Sequence, residues 1–151
     1  MDVKRKTMTQ RTDINWDYIR GLVEGEGCFT FSPVGYKQRI PSFQLRMHVR
    51  DKFLLEKIRD FLGLKNKVYT YHYPGKDNAK RGPQVVLIVR EFGSLKNIII
   101  PLFYENLIGH KSIQFNEWLE KIGNDPNVPK SYKLLYRLHK SGFYSRDSRF
   151  V

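Results

Sequence analysis

The sequence of 151 residues is 40% hydrophobic and 14% aromatic, which predicts one folded domain with a hydrophobic core. Its 27 Lys and Arg residues outnumber 15 Asp and Glu residues, and the net charge of +12 argues against both disorder and an ordinary acidic enzyme. No apolar stretch approaches the roughly 20 residues that a membrane-spanning helix needs. Cys28 is the only cysteine, so one chain can form neither a disulfide framework nor a thiolate zinc site, and a reducing compartment is expected.

The distribution of the basic residues indicates the class of partner. They alternate with nine tyrosines and with turn-forming residues, as in Tyr36-Lys37-Gln38-Arg39 and in the stretch 69–81. This mixture suits contacts with phosphates and bases, so nucleic acid is the expected partner. A solvated basic surface is the alternative, and a membrane-surface role would need a basic amphipathic helix that the pattern does not contain. Charge alone does not distinguish DNA from RNA.

The N-terminal part predicts a basic arm followed by a helix with an unusual glycine pair. We interpret residues 1–12 as a flexible arm, and Asn15 can cap a helix over 16–25. The expected core side of this helix consists of Trp16, Ile19 and Val23. Another side contains Gly21 and Gly25, and a glycine inside a helix costs about 1 kcal/mol relative to alanine. Such a cost suggests that another backbone approaches closely there.

The remaining chain alternates between strand and helix patterns. The expected elements are strands over 28–32 and 42–50, a helix capped by Asp51 and ended by Gly63, strands over 67–73 and 84–90 around a basic loop, a helical run over 95–106 capped by Ser94 and kinked by Pro101, and helices over 112–122 and 131–140. In the second strand, Phe43 and Leu45 should face the core. The order predicts an α+β domain over 13–142 with one antiparallel sheet, extra C-terminal helices and a tail over 143–151.

Two carboxylates, Glu24 and Glu26, stand at the C-terminal end of the first helix. A helix end of this kind has a partial negative charge of about half a unit, so a metal ion there would relieve the repulsion. If Gly21 and Gly25 allow two such helices to pack, a symmetric dimer brings two copies of Glu26 close to its axis. Two carboxylates with Mg²⁺ can cleave a phosphodiester. The alternative is a glycine-rich turn with solvated glutamates.

The segment Gly21-Leu22-Val23-Glu24-Gly25-Glu26-Gly27 resembles the motif of the LAGLIDADG homing endonucleases. The similarity spans roughly residues 15 to 122 and includes Phe29, Asp51-Lys52-Phe53-Leu54-Leu55, Ile100-Pro101-Leu102-Phe103, Gly109-His110-Lys111, Phe115 and Trp118. The motif occurs once, and the chain is close in length to the single-motif members, which work as homodimers. The αββαββα core of the family has the order of elements predicted above.

The resemblance implies roles for residues around the motif. Glu26 takes the position of the acidic metal ligand, with Gly25 beside it at the metal site, whereas Glu24 is less directly tied to metal. Lys111 matches a cation beside the cleavage site; a plain surface lysine is the alternative. The implied dimer interface comprises Tyr18, Gly21, Leu22 and Gly25. Arg20 departs from the small residue usual there, and Val49 replaces a glutamine that organises water, so that role is unassigned.

In the family one face of the sheet lies in the DNA major groove, so side chains opposite the core face should contact bases. The expected DNA-binding residues are Thr30, Ser32, Gln44, Arg46, His48, Tyr69, Tyr71 and Gln84 on the strands, and Lys37, Gln38, Arg39, Lys76, Lys80 and Arg81 in the loops. Geometry favours Arg46 with guanine, and Gln44 or Gln84 with adenine. His48 could equally be an ordinary strand residue.

The function implied by the resemblance is that of a homodimeric, sequence-specific homing endonuclease of double-stranded DNA, associated with an intron or intein. It would hydrolyse phosphodiesters with Mg²⁺ and leave 3′ overhangs at a long pseudo-palindromic site. Mn²⁺ should substitute, and Ca²⁺ should support binding without cleavage. No small-molecule cofactor and no membrane association are expected. The protein should be intracellular and DNA-associated, without distinction between a prokaryotic cell and an organelle.

Two other functions remain open from the sequence. A non-cleaving relative on the same fold could be an intron maturase or a transcriptional regulator, and the valine at position 49 is compatible with that role. A general basic RNA-binding protein is the second alternative, although the chain lacks the aromatic signature of a single-strand binder.

Overall fold

The computed structural model describes residues 13–72 and 82–146. Its elements are α1 (Trp16–Glu26), β1 (Gly27–Val34), β2 (Gln38–His48), α2 (Lys52–Phe61), β3 (Val68–His72), β4 (Pro83–Val89), α3 (the contiguous helical pieces Phe92–Ser94, Leu95–Ile99 and Ile100–Phe103), α4 (His110–Asn124) and α5 (Lys133–Lys140). The predicted α+β class and αββαββα order, with further helices at the C-terminal end, are confirmed. The predicted arm and most of the basic loop lie outside the described residues.

One antiparallel sheet organises the strands in the order β1-β2-β4-β3. Its register aligns Arg46 with Val86 and Val86 with Tyr69, so these side chains share a face. Phe43 and Leu45 are fully buried on the opposite face, and Arg46 is exposed, as the alternation of β2 predicts. The sheet therefore has one face against the helices, which we call the core face, and one facing away from them, which we call the outer face.

Phe29 is the centre of an aromatic cluster on the core face. Its ring centroid lies 4.8 Å from that of Phe115, 5.3 Å from those of Trp118 and Phe43, and 5.6 Å from that of Phe103. Aromatic pairs at such separations contribute about 0.5–1.5 kcal/mol each beyond the area they bury. The cluster joins β1 and β2 to α3 and α4, and it fixes the position of α4 beside the start of β1.

The second strand ends earlier than predicted. β2 stops at His48, and the chain turns through a 3-10 helix over Val49–Asp51, so the predicted strand residues up to Arg50 leave the sheet. The imidazole Nδ1 of His48 accepts a hydrogen bond from the backbone N–H of Arg50 at 3.1 Å, which stabilises the turn. The alternation of hydrophobic and polar residues continues through the turn, so the sequence pattern could not reveal this side-chain cap.

The predicted helix around Pro101 differs from the observed α3. The helix starts at Phe92 with Glu91 as the N-cap, not after Ser94, and it ends at Phe103. Proline was expected to kink or split the helix, but Leu95–Ile99 forms a π-helix directly before it. A proline ring clashes with the carbonyl four residues earlier in a regular helix, and the wider π turn makes room for it.

Other boundaries differ by a few residues. β1 continues through Pro33, because an edge strand can include a proline without losing a hydrogen bond of the sheet. α4 begins at His110 instead of Ser112. Asp51 occupies the N-cap position of α2, yet its side chain makes no capping hydrogen bond. Gly63, with φ of 74°, ends α2 as predicted.

The C-terminal helix α5 packs closely on α4. The Lys133 ammonium donates hydrogen bonds to the carbonyl groups of Ile122, Gly123 and Asp125 at 2.7–3.1 Å and so satisfies the end of α4. The Tyr136 ring lies over Gly123, where a side chain would overlap it. Within residues 13–72 and 82–146, no helix is both long and apolar enough to span a bilayer.

We expect Gly123→Ala to lower the free energy of unfolding by about 1–3 kcal/mol, because a Cβ atom there overpacks the helix contact. The matched control is Gly93→Ala in α3, where a Cβ would meet nothing within 4 Å. That control should raise the free energy of unfolding by about 0.5–1 kcal/mol. Urea unfolding measures both. Equal stability of Gly123→Ala and wild type would contradict the close packing of α5 on α4.

Candidate active site and nucleic-acid interface

Glu24 is bound by the backbone of the loop that leads into α4. Its carboxylate accepts hydrogen bonds from the N–H groups of Ile108 at 2.6 Å and Gly109 at 3.2 Å. A carboxylate between two backbone donors satisfies amides that the start of α4 would otherwise leave to water. Glu24 therefore anchors α4 against α1, and each of its carboxylate oxygens already accepts a backbone hydrogen bond.

Glu26 has the opposite surroundings. Its side chain is exposed and makes no hydrogen bond or ion pair with any residue in the described ranges. It is the last residue of α1, where the free carbonyl groups already present negative charge. Of the two motif carboxylates, Glu26 is the one that remains available to a ligand.

Lys111 lies directly beside this position. Its ammonium donates a hydrogen bond to the carbonyl oxygen of Gly27, the residue after Glu26. Position 27 requires glycine, because a Cβ there would lie 2.6 Å from Cγ1 of Val23. This close start of β1 allows the predicted cation from α4 to bind the residue that follows the predicted carboxylate of α1.

Two further residues of α4 contact β1. The side-chain oxygen of Gln114 accepts from the backbone N–H of Phe29 at 3.1 Å, and the indole N–H of Trp118 donates to the carbonyl of Thr30 at 2.7 Å. Sequence reasoning missed Gln114. Its signal was the spacing of three and seven residues from Lys111 to Gln114 and Trp118, which places all three on one helix face.

Titratable groups with shifted pKa values join the C-terminal helices. Burial raises the pKa of Tyr104, whose hydroxyl lies 2.7 Å from Nδ1 of His139. The hydrogen bond from Lys140 lowers the pKa of Glu120, whose carboxylate also contacts His139 at 3.1 Å. These groups connect α3, α4 and α5, so their shifts reflect the packing of the helices.

The oxygen ligands near Glu26 fit a magnesium ion only in part. Residues 13–72 and 82–146 contain no group of three His, Cys, Asp or Glu side chains that could hold a metal. Glu26 and the carbonyl of Gly25 provide the hard oxygen atoms that Mg²⁺ prefers, but one chain contributes one free carboxylate. One carboxylate is the lower end of the one or two that usually bind Mg²⁺, and a second copy of Glu26 would provide two.

The predicted dimer residues lie mostly on an open side of α1. Gly21 and Gly25 are exposed, and a Cβ at either position would meet nothing within 4 Å. Tyr18 is 45% exposed, whereas Leu22 is half-buried and packs partly against the core. Arg20, which departs from the family pattern, forms an ion pair with Asp17. The face formed by Tyr18, Gly21 and Gly25 is therefore accessible to a partner.

The strand residues that are predicted to bind DNA share the outer face, but they differ in exposure and in the hydrogen bonds they already make. Arg46 is exposed, and Tyr69 and Tyr71 are 45% and 44% exposed. Half-buried members of the set are Thr30, Ser32, Gln44, His48 and Gln84. Gln44 donates to the hydroxyl of Ser42 at 3.3 Å, and Nδ1 of His48 is used by the turn after β2, which leaves only its Nε2 for a ligand.

The loop residues that are predicted to bind DNA also differ in exposure and in the contacts they already make. Lys37 and Gln38 are exposed at the β1–β2 turn. The Arg39 guanidinium lies 3.6 Å from the carboxylate of Asp125 and so ties this hairpin to the end of α4, although half of its side chain is exposed. The other predicted loop contacts, Lys76, Lys80 and Arg81, lie outside the described residues.

A sequence profile described as LAGLIDADG endonuclease matches residues 19–122, which is more than half of the chain. The chain belongs to the LAGLIDADG endonuclease family. The matched span begins inside α1 and ends inside α4, so it includes Glu26, the sheet and Lys111.

Solved LAGLIDADG endonucleases share the fold. I-SmaMI, bound to its uncleaved DNA target in the presence of calcium ions, is 23% identical with a TM-score of 0.60 over 89% of this chain and 46% of its own. I-GzeII, in complex with its DNA target, is 26% identical with a TM-score of 0.58 over 92% and 47%. I-TnaI is 21% identical with a TM-score of 0.58 over 86% and 99%. This chain thus spans about half the length of I-SmaMI and I-GzeII and nearly all of I-TnaI.

The different surroundings of the two carboxylates lead to a stability prediction. Glu24→Ala should lower the free energy of unfolding by about 1–2 kcal/mol, because two backbone donors lose their acceptor. Glu26→Ala is the matched control and should change it by less than about 0.5 kcal/mol, as an exposed side chain without a partner does. Urea unfolding of both variants is the measurement. An equal loss in both would mean that Glu26 also has a structural role.

Proposed function

We propose that this chain forms a homodimeric, sequence-specific endonuclease of double-stranded DNA, of the homing type associated with introns or inteins. The observation that supports it is the position of Lys111 at the foot of α1, beside the residue that follows Glu26. Glu26 is an exposed carboxylate without a partner in the described ranges, and Lys111 is bound to the next residue, Gly27. An unpaired carboxylate and a cation in this arrangement suit phosphodiester chemistry.

The dimer is proposed to form along the open side of α1. Because Gly21 and Gly25 lack side chains, two copies of the helix can approach until their backbones are in contact. A two-fold axis along this contact makes the interface self-complementary and brings the two Glu26 residues towards each other. The second copy thus supplies the carboxylate that a single chain lacks. It also gives the protein the symmetry of a pseudo-palindromic target.

Hydrolysis breaks the bond between phosphorus and an ester oxygen, and a water molecule supplies the new oxygen. The paired Glu26 carboxylates and the carbonyl of Gly25 would hold Mg²⁺, which supplies Lewis acidity and lowers the pKa of bound water. Lys111 is placed to neutralise negative charge that develops on the phosphate. We expect Mn²⁺ to substitute, Ca²⁺ to support binding without cleavage, and the products to have 3′ overhangs.

DNA is proposed to lie along the outer face of the sheet. The net charge of +12 favours a polyanion, and binding through phosphates should weaken steeply as salt rises. Arg46 is the exposed cation in the middle of β2, suited to bidentate contact with guanine. The turn residues Lys37 and Gln38 can extend the contact beyond the strands.

A non-cleaving DNA- or RNA-binding protein, such as an intron maturase or a transcriptional regulator, is the second candidate. It is favoured by Val49, the residue aligned with the water-organising glutamine of the family. Val49 lies in the 3-10 turn after β2 and packs against the core, so it supplies no polar group to a water molecule. Such a protein would bind its target in a salt-dependent way without cutting it.

We expect the purified protein to cleave discrete members of a randomised duplex library with Mg²⁺ and not with EDTA. Glu26→Gln should abolish cleavage and retain binding to the selected duplex, because only the metal-binding charge is removed. Sequencing of the cut ends and a binding assay with Ca²⁺ measure both. The control Glu117→Gln, on α4, should cleave normally. Selective binding without cleavage by the wild type would favour the second candidate.

We expect Gly21→Leu to weaken the dimer at least tenfold, because a leucine side chain keeps the two copies of α1 apart while it fits the open space of one chain. Sedimentation equilibrium measures the dissociation constant, and circular dichroism checks the fold. Gly93→Leu in α3 is the control, since its Cβ position is equally open. An unchanged dimer in Gly21→Leu would show that α1 is not the interface.

A further inference from the structure

The outer face of the sheet has two halves of different chemistry. The half on β1 and β2 is polar and presents Thr30, Ser32, Gln44, Arg46 and His48. The other half, on β4 and β3, contains Gln84 together with Val86, Ile88, Tyr69 and Tyr71, and we call these last four residues the apolar half. The register supports this division, because Arg46 pairs with Val86 and Gln44 pairs with Ile88. Gln44 and Arg46 thus each have an apolar neighbour on β4, whereas His48 pairs with Gln84.

The apolar half is not part of the hydrophobic core. Val85, Leu87 and Val89 are the β4 residues that belong to the core cluster, and they alternate with Val86 and Ile88. Val86 is fully buried by its neighbours on the outer face, and Ile88 is half-buried. The aromatic rings beside them remain nearly half exposed. Ile88, Tyr69 and Tyr71 therefore leave an apolar surface on the outer face, whereas Val86 has no exposed area.

This surface adjoins an open groove with a basic rim. The groove has a volume of about 780 Å³, and Tyr69, Tyr71 and Ile88 line it together with Lys65, Lys67 and Arg90. The three cations are exposed. The carboxylate near them, Glu91, accepts a hydrogen bond from the side chain of Asn66 at 2.8 Å. Aromatic and aliphatic side chains beside three cations fit a polyanion that presents apolar groups between its phosphates.

We propose that the apolar half recognises the 5-methyl groups of pyrimidines in the major groove of each DNA half-site. The inference rests on the proposed function, in which a DNA duplex lies on the outer face. The thymine methyl is the apolar group that unmodified DNA exposes in the major groove, and 5-methylcytosine presents the same methyl. Hydrogen bonds serve recognition on the polar half, whereas Tyr69, Tyr71 and Ile88 offer contact area to a methyl group.

The test uses a duplex that the wild type selects from a randomised library. Each thymine is replaced in turn by deoxyuridine, which keeps the base pair and lacks only the methyl group. Dissociation constants are measured with Ca²⁺. Burial of one methyl group corresponds to about a fourfold change in affinity, so thymines that face the apolar half should show a loss of this size. A duplex with 5-methylcytosine at one of these positions should bind the protein about fourfold more tightly than a duplex with cytosine there.

A protein variant assigns the effect to the apolar half. In Tyr69→Ser the penalty for deoxyuridine should disappear at one position in each half-site and persist elsewhere. Phe53→Ser, which removes an exposed aromatic ring from α2, is the matched control and should keep every penalty. Circular dichroism verifies that both variants fold, which the exposure of Tyr69 favours.

Each result is decisive. If deoxyuridine costs nothing at any position, or if the selected half-site contains no thymine, methyl recognition is wrong although DNA binding stands. A penalty that Tyr69→Ser retains in full overturns the assignment to the apolar half. If the library yields no selected duplex, the proposed function fails and this inference fails with it.

Discussion

The docking of α4 against the start of β1 is the interaction on which the arrangement of the site depends. Lys111, Gln114 and Trp118 bond to the backbone of β1, and Glu24 binds the loop before α4 from the side of α1. The aromatic cluster around Phe29 packs behind these polar contacts. Because β1 is an edge strand, the same helix also shields backbone groups that could pair with another chain. The docking of α4 thus both covers the edge of β1 and places Lys111 at the site.

Helix geometry separates the roles of the two motif carboxylates. Residues two apart on an α-helix point about 200° away from each other around its axis. Glu24 is therefore directed towards the loop before α4, where backbone amides bind it, while Glu26 remains exposed at the helix end. The glycine after it, Gly27, lets β1 start so close to α1 that Lys111 reaches its carbonyl. The seven-residue motif thus contains a carboxylate that anchors α4, an exposed carboxylate and the glycine at which β1 starts.

Two surfaces formed by residues 13–72 and 82–146 are open in the single chain, and they differ in kind. The open side of α1 is smooth because Gly21 and Gly25 have no side chains, which suits an identical helix. The outer face of the sheet is polar on one half and apolar on the other, and its rim is basic. At the motif each chain supplies one exposed carboxylate, Glu26, and its described residues form one sheet, so both surfaces are consistent with a protein that works as one half of a symmetric complex on DNA. This function remains our proposal.

The sequence by itself determined the elements and their order, since periods of two and 3.6 residues depend only on local geometry. It also identified the family, the open glycine side of α1 and the two faces of β2. The tertiary structure decided the end of β2 at His48, the π turn before Pro101 and the role of Gln114. The family resemblance already gave Glu24 and Glu26 different roles, but only the tertiary structure showed what binds Glu24, because that amide lies 84 residues away in the chain. Contacts across such a separation arise from packing, and no local pattern encodes them.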